Sequence, residues 1–305
     1  MTRGFVTIAT GNVFYYQLAK NLLMSYKLYT DAPYPFAILC DQENEYTALF
    51  DDVVLLPNAQ RNYFDKFELL IRAPYEETIF IDADCLAYED LNQYWDYFKN
   101  ADDFSAGGDD YPIDSQAGLF WEDSIGEYKG RVHWKPSIHG GLYFIRRGPV
   151  CDAIYADYQN IMRHHHEYRW PDDCVDEPVF CLAMAANGCH STKEKPENYA
   201  IPWWTTSLDC DMFTGKCTYT TKDGDFVKQG KMVHWSVAHC KKPLYRFEAE
   251  KTLLLTAHNL RPGGKLTGLS VKERLWYQGK LRYYYLLAEA FCCRVWKKLC
   301  RILKK

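Results

Sequence analysis

The stretch Thr78-Ile79-Phe80-Ile81-Asp82-Ala83-Asp84-Cys85 carries an apolar run directly into an Asp-x-Asp sequence. A run rich in β-branched and aromatic residues is typical of a buried strand. In an extended segment residues i and i+2 point to the same side, so both carboxylates can converge on one hard divalent cation. We therefore predict a metal site at Asp82 and Asp84, although a capped strand end would have the same sequence.

The chain around this stretch alternates between two patterns. It predicts strands at 5–9, 36–40, 52–56 and 78–81, and helices at 14–28 and 66–71. Such alternation favours an α/β fold with a mostly parallel, doubly wound sheet, in which ligands bind beyond the carboxyl ends of the strands. The residues that directly follow these strands are therefore the first candidates for a binding site.

The second half of the chain is less regular. It predicts strands at 140–145 and 232–235, helices at 150–163 and 177–186, and loops or an antiparallel excursion at 203–230. The simplest division is one domain over 1–250 and a helical extension over 251–305.

Composition and charge limit the class of protein. The 305 residues are 25% charged and 48% hydrophobic, which is typical of a soluble globular chain. The net charge of -4 argues against a nucleic-acid partner, yet residues 272–305 carry +8, which leaves -12 elsewhere. Apolar residues recur at helical spacing in this basic tail. It is expected either to dock on an anionic membrane or to pack on the protein's own body or on a second subunit.

The cysteines and the N-terminus indicate the compartment. The twelve cysteines include no CxxC pair and several lie in apolar runs, which favours reduced, buried thiols. The N-terminal residues 1–9 predict a strand rather than a signal peptide, and no window predicts a transmembrane span. We expect a cytoplasmic protein, at the inner face of a membrane if the tail docks.

His234 is the second candidate metal ligand. It follows Met232-Val233 in the short strand at 232–235 and precedes Lys241-Lys242-Pro243, so an imidazole and an ammonium could reach one pyrophosphate–metal unit. Mn²⁺ accepts a nitrogen ligand better than Mg²⁺ does. A hydrogen-bonded histidine at a strand end is the alternative. His164-His165-His166 would diverge on a helix and is interpreted as a solvated helix end.

Several ordered motifs resemble glycosyltransferase family 8, which contains glycogenin and bacterial lipopolysaccharide galactosyltransferases. They are Phe5-Val6-Thr7-Ile8-Ala9-Thr10 before a tyrosine-bearing helix, Asp82-Ala83-Asp84, and His234 ahead of Lys-Pro. Lys66, sixteen residues before Asp82, matches a donor-contacting lysine of similar proteins. The resemblance spans roughly residues 5–245.

This resemblance implies a GT-A fold and a retaining hexosyltransferase. Mn²⁺, or Mg²⁺, would be held by Asp82, Asp84 and His234, and the donor would be a nucleotide sugar, UDP-glucose or UDP-galactose. The acceptor would be a glycan, a lipid-linked sugar or a protein. The implied donor-binding residues are Ala9, Thr10, Asn12, Phe14, Tyr15, Lys66, Asp82, Ala83, Asp84, Asp109, His139, Gly140, Gly141, His239 and Lys242.

The family's acidic motif beside the transferred sugar matches Asp173-Cys174-Val175-Asp176-Glu177, which makes Asp173, Asp176 and Glu177 the catalytic candidates. Asp173 and Asp176 could equally cap the following helix. Asp110 is an alternative to Asp109 as the other donor-side acid. Loop tryptophans Trp121, Trp203 and Trp204 are candidates for the acceptor site.

The sequence also departs from the family pattern. His234 precedes Lys242 by eight residues without an intervening glycine, and Leu244 follows Pro243. His239 is thus a rival metal ligand, and the lysine that meets the β-phosphate stays open. His139 stands where the family has asparagine, which leaves the sugar contacts open.

Two other classes of function remain. One is a catalytically inactive sugar- or nucleotide-binding protein of the same fold. The other is a sugar nucleotidyltransferase, which would carry a glycine-rich, basic loop after the first strand. Thr10-Gly11-Asn12-Val13-Phe14 has neither a second glycine nor a basic residue, which favours the glycosyltransferase.

Overall fold

The structure is a computed structural model that describes residues 1–120, 122–164, 175–192, 199–222, 224 and 226–303. The strands are β1 (Arg3–Ala9), β2 (Phe36–Cys40), β3 (Asp52–Leu55), β4 (Glu77–Ile81), β5 (Cys85–Ala87), β6 (Phe104–Pro112), β7 (Trp134–Arg146), β8 (Tyr199–Ala200), β9 (Thr205–Asp211), β10 (Lys216–Thr221), β11 (Lys228–Gln229) and β12 (Met232–His234). The helices are α1 (Val13–Tyr29), α2 (Leu69–Arg72), α3 (Tyr94–Tyr97), α4 (Pro149–Arg163), α5 (Asp176–Ala186), α6 (Ser236–Cys240), α7 (Pro243–Ala257), α8 (Val271–Glu273) and α9 (Leu281–Leu303).

The chain forms two compact units. The first comprises residues 1–23, 32–83 and 92–197, and the second comprises 24–31, 84–91 and 198–305. The division at residue 250 that the sequence suggests stays a prediction.

The first unit is built on a six-stranded sheet of order β3-β2-β1-β4-β7-β6. β3, β2, β1 and β4 are parallel to one another, whereas β7 is antiparallel to both β4 and β6. β2 and β4 are buried at every position, as expected for strands covered on both faces. The predicted mixed α/β fold with a mainly parallel central sheet is confirmed.

The parallel strands end at one edge of this sheet. β1, β2 and β4 run in the same direction, and each is followed at once by a polar residue: Thr10, Asp41 and Asp82. This edge is where a doubly wound sheet binds its ligands. The predicted helix at 66–71 is instead a 3₁₀ helix, Tyr63–Glu68, which continues into α2.

The second unit contains two three-stranded sheets, of order β11-β10-β9 and β5-β12-β8. β9, β10 and β11 pair antiparallel, so the antiparallel excursion expected at 203–230 is present. A π-helical turn, Arg274–Gln278, lies between α8 and α9.

The tail helix α9 packs on α7 along its first half. Arg282 forms a bidentate ion pair with Glu250 at 2.6 and 2.7 Å, and Leu286 is fully buried. Other large side chains of this helix are exposed: Tyr284, Tyr285, Phe291, Val295 and Trp296. Among the residues that the structure describes, no helix is long and apolar enough to cross a membrane.

Candidate functional site

Asp84 and His234 form an acid–imidazole pair in the second unit. β12 pairs antiparallel with β5 so that His234 lies opposite Cys85, and the Trp235 N–H donates to the Asp84 carbonyl at 3.1 Å. This register places His234 Nε2 3.0 Å from Asp84 Oδ1. Ligand atoms of Asp84, Cys85 and His234 all lie within 4.8 Å of one another. A carboxylate, a thiol and an imidazole that close can hold a divalent metal.

The geometry of the Asp-x-Asp differs from the sequence-based expectation. β4 ends at Ile81, and Ala83 and Asp84 form a turn rather than continuing as an extended strand. The premise that the two carboxylates point the same way because the segment is extended is therefore wrong. Asp84 meets His234 through the pairing of β5 with β12, a long-range contact that Asp-x-Asp spacing does not encode.

Asp82 belongs to the first unit, where it binds Lys66. The Lys66 ammonium lies 3.1 Å from Asp82 Oδ2, 3.1 Å from Asp176 Oδ2 and 3.0 Å from the Gly140 carbonyl. We call Lys66, Asp82 and Asp176 the Lys66 cluster. The structure thus joins a strand end (Asp82), a 3₁₀ helix (Lys66) and the first turn of α5 (Asp176).

The charges of the Lys66 cluster reinforce one another. Burial lowers the pKa of Lys66, but the carboxylates of Asp176 and Asp82 outweigh that effect and raise it above its ordinary value. Asp176 lies where helix N-terminal N–H groups favour negative charge, and the Tyr143 hydroxyl also donates to its Oδ2 at 3.3 Å. The lysine is therefore held as an ammonium.

Gly140 and Glu177 are in close contact, and there is no space for a side chain at Gly140. The Gly140 N–H donates to Glu177 Oε1 at 2.6 Å, and a Cβ on Gly140 would lie only 2.9 Å from that oxygen. Burial raises the pKa of Glu177, which the Gly140 hydrogen bond opposes. The sequence predicted Gly140 and Glu177 separately, and the structure brings them into contact.

A second polar network follows β1 and β2 in the first unit. Thr10 Oγ1 donates to Asp65 at 2.7 Å, and the Gly11 N–H donates to Asp41 at 3.0 Å. Arg61 pairs with Asp41 at 2.9 Å, and the Tyr16 hydroxyl donates to it as well. Burial opposes ionisation of Asp41, yet the hydrogen bonds from Tyr16, Gly11 and Arg61 lower its pKa.

Sequence reasoning missed Asp41, Arg61 and Asp65. Asp41 directly follows β2, so the rule that ligand-binding residues come just after parallel strands would have found it. Arg61 lies between β3 and the 3₁₀ helix, and Asp65 lies in the first turn of that helix, and neither has a comparable sequence signal.

Further predicted donor residues of the first unit lie at β1, at the start of α1 and in β7. Ala9 ends β1 and Asn12 precedes α1, where its side chain accepts the Phe14 N–H at 2.9 Å. The rings of Phe14 and Tyr15 meet edge to face at 6.1 Å. His139 and Gly141 lie in β7, and the Gly141 carbonyl accepts the Asp82 N–H at 3.1 Å.

The rival ligand His239 lies on α6, where its Nδ1 is 3.0 Å from Ser236 Oγ. Burial and Lys242 lower its pKa, which favours the neutral imidazole. The Trp203 ring lies 5.6 Å from the His234 ring and 6.1 Å from that of His239. Trp203 thus lies beside both candidate histidines, and Lys242 is exposed at the start of α7.

Asp109 and Asp110 lie in β6, a strand that the sequence did not predict. Asp110 binds His190 at 2.7 Å and the Ser191 hydroxyl at 2.6 Å. Asp173, Trp121, His165 and His166 lie outside the described residues, and His164 caps the end of α4.

Comparisons with known proteins show a likeness of fold. No protein-family model and no curated protein matches the sequence. The crystal structure of the galactosyltransferase LgtC with donor and acceptor sugar analogs matches with a TM-score of 0.50 and 14% identity, over 89% of this chain and 99% of that chain. An active-site mutant of LgtC matches with the same score and identity, over 83% and 95%.

The glycosyltransferase GlyE of Streptococcus pneumoniae TIGR4 matches with a TM-score of 0.44 and 12% identity, over 65% of this chain. This chain spans 46% of the GlyE chain, less than half of its length. Because this chain and LgtC are only 14% identical in sequence, their structural similarity shows a shared fold and nothing more. The fold is of the GT-A type, as expected.

Proposed function

We propose that the protein is a metal-dependent glycosyltransferase that moves a hexose from UDP-glucose or UDP-galactose to a glycan, lipid-linked or protein acceptor, with retention of configuration. The observation that carries this proposal is the contact between Asp84 and His234, 3.0 Å apart in a chain of GT-A fold. Both side chains are nearly buried, at 12% and 9% exposed.

The donor atoms of this pair fit a divalent cation. A carboxylate oxygen and an imidazole nitrogen suit Mn²⁺, whereas an oxygen-only set would favour Mg²⁺. Asp84 and His234 would hold the ion, with Cys85 or His239 beside them. That Asp82 shares this metal stays a prediction from the sequence. When bound, the cation supplies positive charge that stabilises the departing diphosphate.

Asp176 is the carboxylate we assign to the sugar. Its Oδ2 accepts from Lys66 and Tyr143, so its orientation is fixed and its negative charge is supported. A carboxylate held in this way can stabilise the oxocarbenium-like sugar of the transition state. Glu177 is anchored by the Gly140 N–H, and we assign it to positioning the β7 backbone. Asp173 stays a sequence-based candidate.

The test is hydrolysis of a panel of nucleotide sugars with Mn²⁺ and without acceptor. Asp84→Asn should abolish turnover while the circular dichroism spectrum is unchanged. Asp209→Asn is the matched control, since Asp209 is 66% exposed on β9 and pairs with Lys216. Metal-dependent hydrolysis that survives in Asp84→Asn would overturn the assignment of the metal ligand. Absence of hydrolysis together with tight nucleotide binding would favour the inactive binding protein.

The stereochemistry has its own test. A proton NMR spectrum of freshly formed product from an α-linked donor should show an α-linkage. A β-linkage would contradict retention and leave only the GT-A fold.

We also propose that α9 docks on an anionic membrane at the cytoplasmic face. Its first half packs on α7, whereas Phe291 and Trp296 are 62% and 68% exposed near the exposed basic residues Arg294, Lys297 and Lys298 of the same helix. Exposed aromatic and basic side chains on one helix are typical of interfacial binding.

Co-sedimentation with anionic liposomes tests the docking. Full-length protein should pellet at low salt and be released as salt screens the charge. The double variant Phe291→Ser with Trp296→Ser should stay in the supernatant, and because both side chains are exposed it should remain folded. Equal pelleting of this variant would contradict the proposal.

A further inference from the structure

The second unit contains a cavity of about 390 Å³. Its walls come from the β9–β10 turn, the middle of α7, the loop at 263–266 and the π-helical turn before α9. The volume is within the usual range for small-molecule sites, about 300–1,000 Å³. None of the residues placed in the candidate site above lines it.

The cavity walls are held in place by hydrogen bonds within the second unit. The Gly263 N–H donates to the Phe213 carbonyl at 2.8 Å, which ties the loop to the β9–β10 turn. Arg261 donates to the carbonyls of Lys27 and Leu28 at 3.0 and 2.7 Å. Tyr277 packs against the Phe247 ring at 6.1 Å. A site with fixed walls loses less entropy on binding.

One wall of the cavity is a buried ion group. Lys251 Nζ lies 2.6 Å from Asp211 Oδ1 and 2.8 Å from Glu248 Oε1, and its side chain is 4% exposed. We call Lys251, Asp211 and Glu248 the Lys251 cluster. Asp211 is about one-third exposed, so it presents a carboxylate to the cavity.

The charges around the cavity balance. Lys251, Lys280 and Asp211 line the cavity, and Glu248 forms an ion pair with Lys251 from the buried side. These two positive and two negative groups of the described residues carry no net charge, so charge alone does not favour a phosphate or a metal ion here. They do offer both donors and acceptors, which a neutral polyhydroxyl ligand can use together.

Aromatic and small polar side chains complete the lining. Phe213 and Tyr277 supply apolar ring surface, and Thr214 and Gln278 supply a hydroxyl and an amide at the exposed rim. A pyranose has the matching surfaces, since its hydroxyl groups form hydrogen bonds while its C–H face packs on aromatic rings. We propose that this cavity binds a neutral hexopyranose unit, as a carbohydrate site separate from the candidate metal pair.

The inference does not require that the protein transfers sugar. If it does, a separate carbohydrate site would retain a glycan acceptor between turnovers.

The experiment uses full-length protein and a panel of methyl hexopyranosides in saturation-transfer-difference NMR, at about pH 8 so that Glu248 is ionised. We expect transfer to the sugar C–H protons that excess UDP with diamagnetic Mg²⁺ does not suppress. Gln278→Trp should fill the rim and remove the signal. Gln229→Trp, at an exposed position on β11, is the matched control and should keep it.

Three results would overturn the proposal: no transfer to any glycoside in the wild type, transfer that survives in Gln278→Trp, or transfer that UDP with Mg²⁺ removes. The melting temperature of Gln278→Trp checks that it is folded, and Thr214→Trp at the other side of the rim replaces it if it is not. Asp84→Asn should retain glycoside binding whatever its turnover, so failure of the proposed function and failure of this site are distinguishable.

Discussion

Each unit of the protein buries a lysine between two carboxylates, and the two arrangements behave differently. In the Lys66 cluster the ammonium lies 3.1 Å from both Asp82 and Asp176. In the Lys251 cluster it lies 2.6 Å from Asp211 and 2.8 Å from Glu248, with the rings of Phe247 and Phe213 at 4.4 and 5.1 Å.

The difference lies in where the backbone places each carboxylate. Asp176 is in the first turn of α5, where unpaired N–H groups favour negative charge. Glu248 is in α7, fully buried and one turn before its own lysine. Burial raises the pKa of Glu248 to about 7, which Lys251 only partly opposes. The Lys66 cluster thus keeps its charges fixed, whereas the Lys251 cluster contains a carboxylate, Glu248, that can bind a proton near neutral pH.

The largest expected effect is the loss of Lys66. Lys66→Met removes the cation between Asp82 and Asp176, and breaking a buried ion group typically costs about 3–5 kcal/mol. Lys251→Met should cost clearly less near neutral pH, because Glu248 can bind a proton instead. Urea unfolding of both variants measures the difference. Equal losses of unfolding free energy in the two variants would show that the two clusters are electrostatically alike.

An intermediate effect is expected at Gly140, whose N–H anchors Glu177. Gly140→Ala would place a Cβ 2.9 Å from Glu177 Oε1 and 3.1 Å from the Tyr143 hydroxyl oxygen, and such overpacking costs about 1–3 kcal/mol. Gly148→Ala is the control, since a Cβ there would meet nothing within 4 Å. Thermal unfolding compares them, and an equal shift would mean that the packing around the Lys66 cluster can relax.

The smallest effect is a pH dependence of stability from Glu248. Its folded-state pKa lies above the ordinary 4.5, so its stabilising contribution is complete below about pH 4.5 and is lost as the pH rises through about 7. The unfolding free energy of wild type relative to Glu248→Gln should therefore fall, by about 1 kcal/mol, between about pH 6 and pH 7. A difference that stays constant over this range would contradict the raised pKa.

The sequence predicts the first unit well because its signals are local. The strand at 36–40 is predicted to the residue, and the strand and helix at 5–9 and 14–28 to within about two residues at each end. Each has an uninterrupted apolar run or a helical period of its own. β6 was missed because Gly107, Gly108 and two aspartates weaken its strand pattern, and only its pairing with β7 makes it a strand.

The candidate site is predictable in its residue types but not in its contacts. Asp84 and His234 were both named, yet their meeting depends on a strand pairing across 150 positions of sequence. Lys66 was named as a donor contact, and the structure shows it bound to two carboxylates. The Lys251 cluster had no sequence signal, because Asp211 and Glu248 are ordinary charged residues until the fold buries them together.

The short pairing of β5 with β12 has a consequence for how this chain can vary in length. Side chains alternate faces along a strand. The three residue pairs between β5 and β12 therefore determine which face of the sheet carries the His234 side chain, and so whether it can reach Asp84. Insertions between residues 88 and 231 that leave the ladder in register preserve the acid–imidazole pair, whatever their size. A slip of one position within the ladder would point the imidazole to the opposite face and break the pair, without changing a single residue of it.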